Sequence, residues 1–397
     1  MATDEVLTGS APVRESRPAG ANSAAAEPQP ARVPRLPSLT GLRFPAALAV
    51  FAVHASMPIP SLRLLADDRT EFRLSRWFDQ AGGLGVAFFF VLSGFVLTWS
   101  ARDTDTATEF WRRRFVKIYP NYVVTWVFAM VVFASASTPT HVAVANLFMV
   151  QVWVPSYFTN FSVNSPSWSL AVEAIFYLSF PLLLAVLRRV DPRHLKYWII
   201  GAIAAVWATP AVAYALFPKT PLVPSGQNLS VSANWFSYVL PPVRMFDFAL
   251  GILVALAVKH GRWRNIGMIP SFLLLAGGYW LTFHVPFLYG QRATMIIPIV
   301  LLIAAAATAD IEGRFTLFRN RTMVWLGEIS FAFYLLHYTV LSWLRKALGT
   351  EMYSNAAGIS ILVGAAVGTV VLSWVLYSVI EAPLVRRFSR SLRAKAA

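Results

Sequence analysis

The sequence has no cysteine, which excludes a disulfide framework, a thiolate metal site and a cysteine nucleophile but says nothing of the compartment. Charge is scarce as well. Asp, Glu, Lys and Arg make up 13% of the 397 residues, against roughly 25% in ordinary soluble domains. No P-loop, Gly-x-Ser-x-Gly elbow, His-Glu-x-x-His or dinucleotide fingerprint occurs, so covalent and metal catalysis find no support and no resident cofactor is expected. What is abundant is apolar surface: 57% of the residues are hydrophobic, more than one soluble globule can hide. The net charge of +15 does not mark a nucleic-acid partner, because the basic residues fall in short clusters between apolar runs. Clusters so placed orient a chain in a membrane. The partner implied first is therefore lipid.

A crossing needs about 20 mostly apolar residues. That length picks out segments near 39–57, 83–100, 119–136, 167–187, 197–217, 236–258, 267–287, 293–309, 323–344 and 357–380. The expectation is an all-α integral membrane protein of about ten transmembrane helices with both termini cytoplasmic. The stretch 141–154 is apolar but short and reads as an interfacial or re-entrant helix. With ten spans, 24 of the 34 Lys and Arg residues fall on the side of the termini and 8 on the other, the bias of a positive interior. This side assignment implies a multi-pass protein of a bacterial-type plasma membrane. Residues 1–37 have no apolar run and read as a disordered cytoplasmic tail. Residues 38–385 form the membrane domain, and 386–397 a basic cytoplasmic tail.

Ionisable residues inside spans are functional candidates. Arg43 and His54 are eleven residues apart, so a helix points both the same way, about 16 Å apart along its axis. Arginine near a mouth suits a phosphate-bearing ligand. Histidine deeper in suits proton abstraction. The plainer alternative has Arg43 snorkelling to headgroups and His54 bonding a neighbouring helix. Glu173, two turns into the fourth span, is placed to hold an imidazole tautomer or to serve as an interhelical hydrogen-bond partner. Arg244 and Asp247 can neutralise each other at i, i+3. His337 reads as a packing or interhelical residue, and His284 as interfacial. The basic loop through Arg112, Arg113, Arg114 and Lys117 reads as a topogenic cluster on anionic lipid or as a rim that gathers a polyanion. Ser93-Gly94 marks close helix packing. On charges alone, a proton-coupled transporter or lipid flippase fits as well as an enzyme.

Several motifs, in order, resemble the acyltransferase-3 membrane family. They are Leu39-Thr40-Gly41-Leu42-Arg43 through His54, Phe90-Val91-Leu92-Ser93-Gly94-Phe95, the basic run ending Ile118-Tyr119-Pro120, Trp168-Ser169-Leu170-Ala171-Val172-Glu173, Tyr334-Leu335-Leu336-His337 and Glu381-Ala382-Pro383. The likeness covers about 36–388. It implies an O-acyltransferase that moves a short acyl group from acyl-coenzyme A, a co-substrate, to a hydroxyl of a sugar-containing acceptor. That acceptor is a cell-surface polysaccharide or glycan, or a glycosylated macrolide-type natural product. It further implies His54 as catalytic base, Glu173 as a supporting acid, and Arg43, Arg114 and Lys117 at the donor. The family's Arg-x-x-Arg reads Arg114-Phe115-Val116-Lys117 here; lysine keeps the charge but loses the bidentate fork. No appended extracytoplasmic hydrolase-like domain is expected after the last span.

Overall fold

The computed structural model describes residues 34–388 apart from 103 and 225–226. The tail expected over 1–37 therefore lies almost wholly outside the described residues, as does most of the basic tail 386–397. Among the described residues there is no strand, only isolated bridges such as Leu65 with Tyr353. Among the described residues nine helices are long and apolar enough to cross a membrane. In chain order the elements are α1 Pro37–Ala55, α2 Asp68–Phe78 running into α3 Ala81–Ser100, α4 Ala107–Ala134, and the short α5 Thr140–Leu147. Then follow α6 Ser167–Leu187, α7 Leu195–Leu216 and α8 Val231–Lys259, α9 Met268–Leu281, α10 Tyr289–Ile311, α11 Arg321–Leu348 and α12 Asn355–Phe388.

The tenth expected span, 267–287, is the one that falls short. Its α-helix has 14 residues and continues only as a 3-10 turn, Thr282–His284; together they rise about 27 Å. The reading of 141–154 as too short to cross agrees with the structure, because α5 has eight residues and is followed only by the turn Gln151–Trp153. It is docked by Asn146, whose Oδ1 accepts from Tyr122 Oη (2.9 Å) and whose Nδ2 donates to Ser167 Oγ (3.1 Å).

Two sequence readings need correction. The basic stretch 112–117 is not a loop. A capping box between Thr106 and Glu109 starts α4 before it, so Arg114 and Lys117 lie three apart on one helical face. Arg292, counted with the exterior loops, is buried within α10, because that helix begins with a wide π turn, Tyr289–Ala293.

The helices sort by burial. The most apolar stretches of Asp68–Ser100, α8 and α10 are 72% buried and that of α11 67%, against 22% for α4 and α12. The outer helices present Val131, Leu182 and Val367 to their surroundings, as lipid-facing surfaces do. The inner helices approach closely. A Cβ at Gly94 would lie 2.0 Å from the Phe248 carbonyl oxygen, and one at Gly251 2.0 Å from that of Val91. The packing reading of Gly94 therefore holds for the α3–α8 contact, where small residues let backbones meet.

Four π turns interrupt these helices: Met130–Ala134, Trp235–Val239, Tyr289–Ala293 and Tyr377–Glu381. Each supplies residues to one of the cavities described next. A π turn widens the helix and re-aims its side chains, and such turns concentrate at functional sites.

Candidate active site

Four cavities run in series through the bundle. The first is a groove beside the α3–α4 connection, lined by Arg102, Arg113, Arg114 and Arg188. It shares Leu97 and Arg114 with a second, of about 110 Å³, deeper among α1, α3, α4, α6 and α11. The second shares Val86 and Tyr334 with a third, of about 120 Å³. The third shares Met57, Tyr157, Phe161 and Ser165 with a wide fourth, lined by loop residues such as Pro60, Gly349 and Met352.

Arg43, Arg114, Lys117 and Glu173, four of the five sequence-predicted residues, line the second cavity together. The structure gathers them from α1, α4 and α6. Neither Arg43 nor Lys117 makes a hydrogen bond or ion pair among the described residues, and Arg114 only lies over the Phe110 ring at 5.7 Å. Three cations are thus left without direct neutralisation, although carboxylates are near. Those carboxylates are held by neutral donors instead. Glu173 Oε1 accepts from Ser93 and Tyr177, and Glu381 Oε2 from Asn121 Nδ2 at 2.7 Å. Glu328 sits exposed at the margin. Because the acids are occupied, the fork of Arg43 stays available to an anionic ligand.

His54 lines the third cavity, on the other side of the wall formed by Val86 and Tyr334. Its partner is not Glu173, whose carboxylate belongs to the second cavity, but His337. His337 Nε2 lies 3.1 Å from His54 Nδ1, and both residues are buried. His54 Nδ1 also lies 2.9 Å from the Val50 carbonyl, and His337 Nδ1 lies 3.3 Å from that of Phe333. One tautomer of each ring satisfies all three contacts. Both carry the proton on Nδ1, so His337 donates to Phe333 O and accepts from His54 at Nε2. His54 Nε2 then keeps its lone pair, with no partner among the described residues. That is the arrangement a general base needs.

The loop before α6 fixes this corner. Asn164 does not cap its own helix; its Nδ2 reaches across to the Leu335 carbonyl at 2.8 Å. Ser169 Oγ meets Tyr334 Oη at 2.6 Å. The stretch from Tyr334 to His337 is thereby pinned against α6. Behind the wall, Asp247 lies between two arginines, 3.2 Å from Arg244 Nε and 3.1 Å from Arg292 Nη1. Arg244 rests over the Phe90 and Tyr238 rings, at 4.9 and 5.4 Å. The Arg244–Asp247 pair expected from sequence therefore has a third member. It carries one excess positive charge close to the wall.

Sequence reasoning read His337 as a packing or interhelical residue, which its contact with His54 makes it, and gave no role to Glu381 or Tyr334, although each lies in a motif it had singled out. The signal was present in the order of motifs, but no local spacing shows that α11 meets α1 or that α12 returns to α4. His284 is exposed, its ring tilted against that of Trp280 with centroids 4.1 Å apart, as an interfacial residue would be.

The chain is thus a helical membrane bundle with a buried histidine pair beside a cavity lined by unneutralised cations. The chain belongs to the acyltransferase-3 family, matching its acyltransferase-domain profile over residues 36–378. It is similar to the acyltransferase MdmB of Streptomyces mycarofaciens, 41% identical over 91% of this chain and 94% of that one. It is also similar to the peptidoglycan O-acetyltransferase OatA of Listeria monocytogenes, 26% identical over 77% of this chain but 49% of that protein. No solved structure matches the chain. Family membership decides between the readings that the charges left open: the protein is a multi-pass membrane O-acyltransferase.

Proposed function

We propose that the protein moves a short acyl group from acyl-coenzyme A to a hydroxyl of a sugar-containing acceptor, with His54 as general base. The observation that carries this is the placement of the free His54 Nε2 and the three cations on opposite faces of one thin wall, Val86 and Tyr334. The donor's phosphates lodge at the basic groove and against Arg43, Arg114 and Lys117, and its pantetheine arm runs inward toward the wall. The acceptor enters through the wide fourth cavity. His54 Nε2 takes the hydroxyl proton as the oxygen attacks the thioester carbonyl. The new C–O bond forms, the C–S bond breaks, and the departing thiolate recovers the proton from the imidazolium. His337 holds the His54 tautomer and shares the transient charge. Glu173 acts on the donor side, where it keeps Tyr177 and Ser93 ordered.

The basic groove faces the cytoplasm in this reading and the short α9 crosses as a tenth span, so both termini are cytoplasmic and the acceptor is modified from the opposite side of a bacterial-type plasma membrane. A peptidoglycan-like glycan and a glycosylated macrolide-type product are both acceptors of the right chemistry. The test is thiol release from acetyl-, propionyl- and isovaleryl-coenzyme A by purified protein with pooled candidate acceptors. Release that requires both an acceptor and His54 is expected. Undiminished release by a well-folded His54→Ala protein would sink the assignment of the base.

A further inference from the structure

The third cavity holds more polar groups than proton transfer requires. We infer that Asp79, Gln80, Gln227, Asn234 and Gln291 form a subsite for a hydroxyl-rich ring, a glycosyl residue of the acceptor, presented to His54. This deepens the acyl-transfer reading above and rests on it.

All five side chains line the cavity with His54, and they come from four separate parts of the chain. Gln80 sits just ahead of α3. Asn234 immediately precedes the π turn Trp235–Val239, and Gln291 lies inside the π turn Tyr289–Ala293. Without that wide turn the helical ladder would aim Gln291 elsewhere. Gly83 allows the close approach that completes the corner, since a Cβ there would lie 2.1 Å from the Gln291 carbonyl oxygen.

The bonds these groups make to one another are few and long. Gln291 Nε2 reaches Asn234 Oδ1 at 3.5 Å, and Gln227 Nε2 reaches Asp79 Oδ1 at 3.4 Å. Gln291 is 7% exposed and its Oε1 is buried without a partner. Gln80, 5% exposed, makes no side-chain hydrogen bond among the described residues. Buried carboxamides in a finished core are normally paired; here the Gln80 amide and the Gln291 Oε1 are left open on one cavity.

A carboxamide both donates and accepts, as a sugar hydroxyl does, and the Asp79 carboxylate is an acceptor for hydroxyl donors. Aromatic rings complete the fit. Trp168 and Tyr238 line the same cavity with centroids 4.7 Å apart and offer a platform to the C–H face of a pyranose. An apolar alcohol of the same size would leave the carboxamides unpaired, so the cavity discriminates against it.

The probes are a set of neutral p-nitrophenyl pyranosides (gluco, galacto, manno and N-acetylglucosamine) and, as the apolar counterpart, cyclohexylmethanol. Binding is read by saturation-transfer NMR on protein in lipid nanodiscs, which avoids sugar detergents, alongside coenzyme A binding to the same samples. The expected result is saturation of at least one pyranoside that weakens about tenfold or more in Gln291→Leu and in Asn234→Leu. Cyclohexylmethanol gives none, and coenzyme A binds wild type and variants alike, which certifies the fold. Should a variant lose coenzyme A as well, Gln80→Ala replaces it and the same comparison is made. No pyranoside binding, equal binding to the variants, or equal binding of cyclohexylmethanol overturns the subsite. Those outcomes leave His54-dependent thiol release untouched. Loss of that release with pyranoside binding intact would instead remove the transfer reading.

Discussion

On one side of Val86 and Tyr334 the cavity is lined by three cations whose neighbouring carboxylates are taken up by Ser93, Tyr177 and Asn121. On the other side no Lys or Arg lines the cavity, and the polar groups are carboxamides, one carboxylate and the free nitrogen of His54. The two spaces are close in volume, yet one is built for permanent charge and the other for directed hydrogen bonds. Charge attracts an anion from a distance and tolerates a loose fit. Hydroxyl recognition and proton abstraction need heavy atoms within about 3 Å. The basic side accordingly uses long, flexible side chains, while the His54 side uses short ones fixed by α6, α11 and two π turns.

That contrast can be broken by separating kcat from the donor KM. His54→Ala is expected to lower kcat by about 10²–10⁴-fold with coenzyme A binding unchanged. Arg43→Ala is expected to raise the donor KM by about 10- to 100-fold, the worth of a charge-assisted hydrogen bond, with a smaller change in kcat. Steady-state kinetics on both variants checks the division, and a matching loss of kcat in both would mean that the two cavities act as one. Val86→Phe probes the wall itself. Binding of coenzyme A should survive, while transfer falls because the added ring fills the one position besides Tyr334 that lines both inner cavities among the described residues. A competing penalty is overpacking, about 1–3 kcal/mol, which a thermal melt separates from the kinetic effect.

Sidedness is open to a direct reading because the chain has no native cysteine. Thr104→Cys beside the basic groove and Thr350→Cys at the opposite loops are both exposed positions. A membrane-impermeant maleimide applied to intact cells is expected to label the second and to reach the first only after permeabilisation. The reverse pattern would put the donor groove outside.

The smallest effect concerns a latch in which Asn355, at the start of α12, bonds Asp67 and Thr70 at the start of α2. Hydrogen bonds from Thr70 Oγ1 (2.6 Å), Asn355 Nδ2 (3.1 Å) and the Arg69 amide (3.1 Å) hold the Asp67 carboxyl down at about 2. A depressed carboxyl stabilises the folded state above its ordinary value near 4 and loses that contribution as the pH falls through its folded value. Asp67→Asn should therefore melt slightly below wild type at pH 7, and the gap should close toward pH 2. A gap that widens on acidification would contradict the latch.

Much of this was legible in the residues. Apolar length gave the spans, because the thickness of the bilayer is a ruler any helix must meet. Arg43 and His54 could be set on one helical face from their spacing alone. The shortfall at 267–287 escaped, since hydropathy does not register where a helix tightens into a 3-10 turn. So did the helical start of α4, because a run of arginines looks like a loop until the capping box at Thr106 and Glu109 is given its weight. Arg292 was misplaced for a related reason: a π turn has no simple period.

The sequence by itself determined the membrane class, the family, and the residues with enough chemistry to matter, because those follow from composition, periodicity and motif order. Tertiary structure alone decided who meets whom. It set His337 rather than Glu173 against His54, gave Glu173 to Ser93 and Tyr177, and brought Gln80, Asn234 and Gln291 to one cavity. The reason is physical: contacts between helices more than 200 residues apart, as in His54 with His337, are fixed by how the helices pack, and no spacing within either helix encodes them.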